Sequence, residues 1–485
     1  MPAMPLPRRA AALASAAFLL TACATNPVSG KRELALMSEA QEIQLGRQAD
    51  AEIRQTMGVY NDPELQRYVQ QIGLRLAKSS ERPNLPWSFA VIDSPAINAF
   101  AVPGGFIYLT RGILPFLDDE AELAGVLSHE IGHVTARHTV QQYSRQTAAG
   151  LGLGVLGIFI PAVGQAAPIA EAGLGALFLK YGRDDEREAD RLGVTYNARN
   201  GWDPAGVAGM LTTLSRLDEA SGARRGVPNW LSTHPAPADR VQEVQALIAE
   251  ARKTTNATAT NAQAFLQQID GIVFGDSPEK GVVRGADFLH RDLRFAMRFP
   301  EGWDVSNTDA QVAAKRPNAE HYVILELVQA QGGSLEQVAQ QQMAKAGFQL
   351  VEGSRTRING LDAVVGTYRG TLQGMGQAGA RAAHILHGDR VYLLVGLAPA
   401  AQFNAAVGTF NQTIGSFRPL TAAQAEAIRP NRVDLYTARS GDSWQSISSR
   451  ASEGNLKPST LAIMNDYEPS QPPRAGDRLK IVVIG

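Results

Sequence analysis

The sequence predicts a multidomain α+β protein, in which a mainly helical domain with a small sheet precedes a strand-rich α+β domain and a small C-terminal unit. The chain has 485 residues, which is too long for one domain of ordinary size. Apolar residues recur mostly at helical spacing in the first half, whereas strand-like patterns dominate from residue 276 onward. A stretch poor in large apolar residues predicts a linker over 253–275, and a second break is expected around 419–431.

The composition limits the partners and the metal ligands that this chain can use. Lys and Arg total 46 and Asp and Glu total 47, which gives a formal net charge of −1. This balance excludes a strongly basic nucleic-acid binder, so we expect no nucleic-acid partner. The single cysteine excludes an intramolecular disulfide and a zinc site built from several thiolates. A metal site would therefore use histidines and carboxylates.

The N-terminal segment 1–22 has the pattern of a secretory signal peptide, because two arginines precede an apolar run too short to cross a bilayer. The run ends in Leu20-Thr21-Ala22-Cys23, which resembles the bacterial lipobox. The resemblance implies cleavage before Cys23 and a diacylglycerol on its thiol. Ala24 then implies sorting to the outer membrane. We therefore expect a periplasmic protein that is lipid-anchored rather than membrane-spanning, with a plain exported protein as the alternative.

The N-terminal domain, predicted to cover 23–252, contains several stretches with regular periodicity. Residues 31–80 are expected to be helical, and 87–110 to contain strands. A long helix is expected to begin near Asp119, which stands three residues before a glutamate at capping-box spacing, and to run to about Tyr143. Further helices are predicted at 183–200, 203–219 and 238–252.

The stretch 147–179 is rich in Gly and Ala and almost uncharged. Prolines and glycines interrupt it, which argues against a single membrane helix. We expect one or two small-residue helices packed over the core, and a mobile lid or a lipid-contacting segment is the alternative.

The motif His129-Glu130-x-x-His133 lies on the predicted long helix. Residues four apart share one helix face, so the two imidazoles can bind a single zinc ion. Glu130 lies about 100° around the helix, from where it can act as general base on a metal-activated water without binding the metal. Surface histidines on an amphipathic helix are the alternative.

The acidic segment 184–191 is predicted to begin another helix and to supply a third ligand. Zinc hydrolases keep three protein ligands and one open position, so we expect Glu186 to bind the metal. Asp190, on the same helix face, is expected to accept a ring N–H from a zinc-binding histidine. A solvated acidic helix start is the alternative. His138 lies about 140° around a continuous helix from His133, so we expect it to miss the metal.

These motifs, together with Asn98-Ala-Phe-Ala-Val-Pro-Gly-Gly, resemble the HtpX and CAAX-prenyl-protease family of zinc endopeptidases, and most closely its soluble periplasmic BepA-like branch. The resemblance covers about residues 31–250. It implies a gluzincin-type fold and one Zn²⁺ per chain. It also implies that Phe106, Ile107 and Tyr108 form an edge strand that binds extended polypeptide by main-chain hydrogen bonds.

A second family-like motif is Ser232-Thr233-His234-Pro235, followed by Arg240. The resemblance leaves three roles for His234. It can occupy the fourth zinc position and keep the enzyme latent, polarise the substrate carbonyl or oxyanion, or hold a loop. Arg240 can pair with an acid near the site or serve the fold alone.

The C-terminal half resembles two known recognition folds. Residues 276–420 weakly resemble a PsbP-like α+β sandwich and carry no evident catalytic set. Residues 430–485 resemble a LysM module, a βααβ unit that usually binds peptidoglycan glycan chains. The alternative for this module is a LysM-like fold used only for protein contacts.

The sequence as a whole predicts a lipid-anchored periplasmic zinc metalloendopeptidase that hydrolyses misfolded or misassembled envelope proteins. Three alternatives stay open. The first is a chaperone-like outer-membrane assembly factor with little proteolysis, and the second is a peptidoglycan-tethered binding protein. The third is an amidase acting on peptidoglycan stem peptides, which an extended edge strand disfavours.

Overall fold

The computed structural model divides into two compact units. The first joins the part of the chain before Gly275 with Arg432–Val483, and the second is Gly275–Asn431. The predicted signal peptide and all but the first two residues of the Gly/Ala-rich stretch lie outside the described residues. The structure describes residues 23–148, 181–221, 230, 234, 238–308, 311–328, 332–451 and 456–484.

The first unit is mainly helical. Helix α1 begins after Ser38, whose hydroxyl accepts a hydrogen bond from the amide of Gln41, and α3 begins after Asp119, which caps it in the same way. Every residue of α3 is buried, so this helix runs through the core. The helices are α1 (Glu39–Thr56), α2 (Pro63–Lys78), α3 (Glu120–Thr135), α4 (His138–Ala148), α5 (Arg183–Arg199), α6 (Ala205–Ser221), α7 (Ala238–Ala251) and α8 (Ala262–Ile269).

Helix α3 ends at Thr135, so the prediction of one helix to about Tyr143 is wrong. Arg137 has a φ of +60°, a left-handed conformation that ends the helix, and α4 starts one residue later. The Arg137 guanidinium holds this break in place by donating to the carbonyl of Met37 at 2.8 Å and lying 3.2 Å from the buried Glu42 carboxylate.

Two short sheets complete the N-terminal part of this unit. Strands β1 (Cys23–Thr25) and β2 (Arg32–Leu34) pair antiparallel. Cys23, the predicted lipidation site, is the first residue of β1, and its lipidation stays a prediction. The second sheet has three strands in the order β3 (Ser88–Ile92), β5 (Phe106–Thr110) and β4 (Ala99–Val102).

Strand β5 is the central strand of this sheet, so the prediction that Phe106, Ile107 and Tyr108 form an edge strand is wrong. β5 pairs parallel with β3 on one side and antiparallel with β4 on the other. A tight turn through Gly104 and Gly105, both with positive φ, folds the chain back onto β4. The three side chains are buried in the core rather than presented to a peptide.

The segment 253–275 is packed against the first unit rather than forming a free linker, so that prediction is also wrong. It contains α8, whose Phe265 and Ile269 are fully buried in the main core, and strand β6 (Val273–Phe274). The residues poor in apolar side chains precede α8, and the helix itself carries the buried face.

The C-terminal residues of the first unit have the element order β–α–α–β. Strand β18 lies between β6 and β19 in a three-stranded sheet. Trp444, Leu461 and Leu479 join the same core cluster as the helices α2, α3, α5 and α6 of the first unit. This part is therefore packed into the first unit and is not a separate compact body. Its elements are β18 (Asn431–Thr437), α12 (Trp444–Ala451), α13 (Pro458–Ile463) and β19 (Arg478–Ile484).

The second unit combines a four-stranded sheet with a seven-stranded one. The large sheet is antiparallel throughout and contains β10 (Asp304–Asn307), β11 (Val312–Lys315), β12 (Tyr322–Val328), β16 (Arg390–Pro399), β15 (Gly376–His387), β14 (Leu361–Leu372) and β13 (Phe348–Ile358), in that order. The small sheet has the order β17 (Arg418–Pro419), β9 (Phe295–Arg298), β8 (Asp287–His290) and β7 (Val282–Arg284). The helices are α9 (Leu335–Lys345), α10 (Ala400–Ser416) and α11 (Ala422–Glu426).

Helix α10 packs on the large sheet through two aromatic rings that occupy space left by glycines. A Cβ atom on Gly396 would lie 2.2 Å from the ring of Phe410, and one on Gly379 would lie 2.3 Å from the ring of Phe403. The strands can therefore accept the helix only because these positions lack side chains. Within the described residues, no helix is both long enough and apolar enough to cross a bilayer.

Candidate metal centre

Four buried side chains from three parts of the first unit converge on one point. His129 and His133 on α3, Glu186 on α5 and His234 each offer a ligand atom, and these atoms lie within 4.8 Å of one another. Their side chains are at most 1% exposed. The structure thus brings together the residues predicted as zinc ligands and adds His234 to the same group.

The distances within the group have the pattern of a metal cage. Nε2 of His129 lies 3.0 Å from Nε2 of His133, so both rings present the same nitrogen to the centre. Each of these atoms lies 3.6 Å from one oxygen of Glu186. Nδ1 of His234 lies 2.9 Å from Oε1 of Glu186 and 3.3 Å from Nε2 of His129.

Small residues allow the two ligand-bearing helices to approach this closely. A Cβ atom on Gly132, one residue before His133, would lie 3.1 Å from Cα of Ala189 on α5. A Cβ atom on Gly193 of α5 would lie an ordinary 3.6 Å from the backbone nitrogen of His129, so the close contact depends on Gly132 rather than on Gly193. The close contact between α3 and α5 places the carboxylate of Glu186 opposite the two imidazoles.

Asp190 and Arg240 support the ligands from behind. Oδ1 of Asp190 lies 3.0 Å from Nδ1 of His129, on the side of the ring away from the centre. Arg240 donates two hydrogen bonds of 2.8 Å to Asp190, and its Nη1 lies 2.7 Å from Oε2 of Glu186. Arg240 therefore pairs with acids at the site, which was one of the two roles that the sequence left open.

Both carboxylates stay ionised in this buried setting. Burial raises the pKa of Asp190, but hydrogen bonds from His129 and Arg240 outweigh it, and the net pKa is lower than the ordinary value. Burial likewise raises the pKa of Glu186, but the nearby His234, His129 and Arg240 lower it further than burial raises it. Burial, together with the charges of the neighbouring histidines, lowers the pKa of His133 well below its usual range.

Glu130 is fully buried beside the four ligand atoms. Its Oε1 accepts a hydrogen bond from Nε1 of Trp230 at 3.3 Å and lies 3.5 Å from Nε2 of His234. Its Oε2 has no hydrogen-bond partner among the described residues. This carboxylate oxygen therefore keeps its acceptor capacity beside three imidazoles and a second carboxylate.

The residues present fit a divalent metal ion. Imidazole nitrogens and a carboxylate oxygen are the donors that zinc takes in hydrolytic sites. The second ring nitrogen of His129 lies 3.0 Å from Asp190, and that of His133 lies 2.9 Å from Nδ1 of His138.

Four residues around the centre were missed as site residues or set aside from the sequence. The ring of Tyr181 stacks on that of His133 with 3.8 Å between the ring centroids. The ring of Trp230 stacks on that of His234 with 4.6 Å between the centroids. Trp230 could have been found, because it precedes His234 by four residues, the spacing of one helical turn. Nδ1 of His138 lies 2.9 Å from Nδ1 of His133, and its Nε2 lies 3.3 Å from Glu188, the fourth missed residue.

Two imidazoles and a carboxylate from packed helices, with a buried glutamate next to the first histidine, define the site type of a metal-dependent hydrolase. Residues 63–248 match the model of peptidase family M48, and all four converging ligand residues lie within the matched part.

Curated relatives match the same half of the chain. The beta-barrel assembly-enhancing protease of Escherichia coli K12 is 32% identical over 229 residues, which is 46% of each chain. The putative beta-barrel assembly-enhancing protease of Vibrio cholerae is 37% identical over 199 residues, covering 39% of this chain and 40% of the relative. The mitochondrial metalloendopeptidase OMA1 of Schizosaccharomyces pombe is 29% identical over 232 residues, covering 47% and 66% respectively. The chain thus spans less than half the length of the two bacterial relatives.

Proposed function

We propose that the chain is a zinc-dependent endopeptidase of the bacterial cell envelope that hydrolyses peptide bonds in other proteins. The observation that carries this proposal is the convergence of His129, His133 and Glu186 beside the buried Glu130. The match of residues 63–248 to the M48 family model and the relatives named as proteases and as a metalloendopeptidase support it.

The roles of the side chains follow from their positions. His129, His133 and Glu186 would hold one zinc ion, which supplies Lewis-acid activation of water and of the scissile carbonyl when bound. Glu130 accepts the proton of the attacking water on Oε2, the oxygen that has no partner within the described part of the chain, and delivers it to the leaving amine. Asp190 keeps the proton of the His129 ring on Nδ1 and so directs Nε2 to the centre.

His234 has two roles that its position supports. Its Nδ1 belongs to the group of converging ligand atoms, which favours a fourth ligand that excludes water and keeps the enzyme latent. Its Nε2 lies 3.5 Å from Glu130, which also suits a group that stabilises the oxyanion. Proteolysis by His234→Ala separates them, because latency predicts a faster enzyme and oxyanion stabilisation a slower one.

The substrates we propose are misfolded or misassembled envelope proteins. This follows from the relatives named for enhancement of β-barrel assembly and from the exported, lipid-anchored N-terminus that the sequence predicts. The alternative of an assembly factor with little proteolysis shares the same partners and differs only in turnover. Extracts of cells that lack the chain, compared by envelope proteomics with those expressing a Glu130→Gln variant, separate turnover from binding.

Two finer assignments belong to the same proposal. The β–α–α–β order after residue 430 supports a LysM-like module. The combination of helices with two sheets in the second unit supports a PsbP-like domain. Cosedimentation of the full chain with purified peptidoglycan tests glycan binding. Full retention in the supernatant would leave the LysM-like part with a role in protein packing alone.

The decisive experiment on catalysis is Glu130→Gln in the full chain, loaded with zinc and compared on a denatured protein substrate. Loss of a general base costs about 10²–10⁴-fold in rate, so cleavage should fall by at least that order. Glu243→Gln is the matched control, because Glu243 is a half-exposed partner of Arg187 on the protein surface. Equal cleavage by Glu130→Gln and the parent contradicts the proposed mechanism.

A further inference from the structure

His138 is a buried histidine that contacts a proposed zinc ligand without reaching the centre. It is 1% exposed and its Nδ1 lies 2.9 Å from Nδ1 of His133. Its Nε2 lies 3.3 Å from Oε2 of Glu188 on helix α5, whose side chain is 24% exposed. His138 therefore links His133 to the partly exposed carboxylate of Glu188.

One assignment of protons satisfies both hydrogen bonds that connect His133, His138 and Glu188. Nε2 of His133 faces Nε2 of His129 and must carry a lone pair to bind a metal ion. The single proton of the neutral His133 ring is then on Nδ1, from which it is donated to Nδ1 of His138. The proton of His138 is consequently on Nε2, where it is donated to Glu188. Each ring nitrogen thus has one defined role.

The arrangement parallels the support of the other proposed ligand. His129 presents Nδ1 directly to the carboxylate of Asp190 at 3.0 Å. His133 reaches its carboxylate through one additional imidazole, and both carboxylates come from α5. Such partners fix the tautomer and ring orientation of metal-binding histidines.

The backbone is shaped to make this contact. A continuous helix would carry His138 away from His133, but α3 ends at Thr135 and Arg137 adopts a φ of +60°. The chain then restarts as α4 with His138 as its first residue. The Arg137 side chain is tied to the carbonyl of Met37 and to Glu42, which holds the break in position.

We infer that His138 and Glu188 are positioning residues, which hold the His133 ring in the tautomer and orientation that bind the metal ion. This inference rests on the proposed metal site and adds a function for two residues that lie outside the group of converging ligand atoms. It predicts that their loss weakens zinc binding without unfolding the protein.

The test measures the Zn²⁺ affinity of the full chain by competition with a chromophoric chelator, with thermal unfolding of the metal-free protein alongside. Loss of such a partner typically weakens metal binding 10–100-fold, so we expect that range for His138→Phe. His138→Gln can accept from His133 through its amide oxygen and donate to Glu188 through its amide nitrogen, so its loss should be much smaller. The loss of Zn²⁺ affinity in Glu188→Ala should lie between the losses of these two variants.

Two controls separate positioning from general damage. His387→Phe alters a histidine of the second unit, and Glu243→Gln alters a surface carboxylate, so neither should change zinc affinity. Zinc affinity of His138→Phe and Glu188→Ala within twofold of the parent overturns the inference, even when the parent binds zinc and cleaves protein normally. Equal losses in His138→Phe and His138→Gln, matched by equal losses of thermal stability, also overturn it, because that is the result of a packing role.

The outcome also distinguishes this inference from the proposed function. A parent chain that binds no zinc overturns both. Because Glu188 is partly exposed, Glu188→Ala is expected to fold and keeps the test decisive if His138→Phe does not fold.

Discussion

Arg240 and Asp190 form a bidentate ion pair in the core of the first unit, with Nε and Nη2 of the arginine each 2.8 Å from a different carboxylate oxygen. The third nitrogen of the same guanidinium lies 2.7 Å from Glu186. One buried cation therefore balances two buried carboxylates, and one of these is a proposed metal ligand. This cation helps to keep both carboxylates ionised in the buried site.

Arg240→Leu should therefore destabilise the metal-free protein by about 3–5 kcal/mol, because it leaves two buried carboxylates without their cation. Arg240→Lys should be intermediate, since an ammonium keeps the charge but not the planar fork. Urea unfolding of the metal-free chain measures both. Arg187→Leu is the control, because its ion pairs lie at the surface and should contribute less than about 1 kcal/mol. Equal effects of the two Leu variants would contradict this account.

A pair of glycines tests how closely the ligand-bearing helices must pack. The added Cβ of Gly132→Ala would lie 3.1 Å from Cα of Ala189, so α3 and α5 must separate. We expect a loss of about 1–3 kcal/mol in the free energy of unfolding and weaker zinc binding. The Cβ of Gly193→Ala has its nearest neighbour at an ordinary 3.6 Å, so this variant should be neutral or stabilised by up to about 1 kcal/mol. Unfolding curves and zinc titration of both variants check the contrast.

Lys480 tests the packing of the C-terminal part into the first unit. Its Nζ is buried and donates to the carbonyl of Leu117 at 2.6 Å and to Asp118 at 2.8 Å, just before helix α3. Burial and the charge of Asp118 raise the pKa of the neighbouring Glu122 well above its ordinary value. Lys480→Met removes the cation from this acidic group, and we expect a fall in the melting temperature of the first unit.

The matched control is Lys457→Met, which changes an exposed lysine of the same C-terminal part. Thermal unfolding of the full chain should shift for Lys480→Met and stay within error for Lys457→Met. A melting temperature that is unchanged in both variants would mean that the C-terminal part is energetically independent of the rest of the first unit.

Most of what could be predicted about the site came from the spacing of its residues along the sequence. Two histidines four residues apart must share a helix face, and the structure places their Nε2 atoms 3.0 Å apart. The same rule put Glu186 and Asp190 on one face of α5. What spacing could not show was the end of α3, because a left-handed arginine is not marked by any local sequence signal. His138 was excluded from the site for that reason alone.

Strand order and the packing of the segment 253–275 could not be predicted from local sequence patterns either. The alternation of β5 is the same whether it lies in the centre of a sheet or at its edge, and the pairing partners decide which. A segment poor in apolar residues before α8 predicted a linker, whereas two buried residues, Phe265 and Ile269, suffice to fix that helix to the core. Such outcomes depend on tertiary contacts.

The second unit contains a histidine whose titration should limit its stability in acid. His384 is fully buried in strand β15, and neither ring nitrogen has a hydrogen-bond partner among the described residues. Burial lowers its pKa from the ordinary 6.5 to about 4. The folded unit thus binds this proton more weakly than the unfolded chain does, so its stability is complete above pH 6.5 and falls as the pH decreases toward 4.

The expected loss is about 3 kcal/mol between these two pH values, at 1.36 kcal/mol for each pKa unit, with no further loss from this group below pH 4. His384→Leu removes the titrating ring and retains an apolar side chain, so this pH dependence should disappear. Hydrogen–deuterium exchange of peptides from β14, β15 and β16 in the full chain measures the local stability of the sheet at each pH. An exchange profile with the same acid dependence in the variant would show that another group controls the acid stability of this sheet. The first to examine is the buried His290, whose pKa is also lowered to about 4.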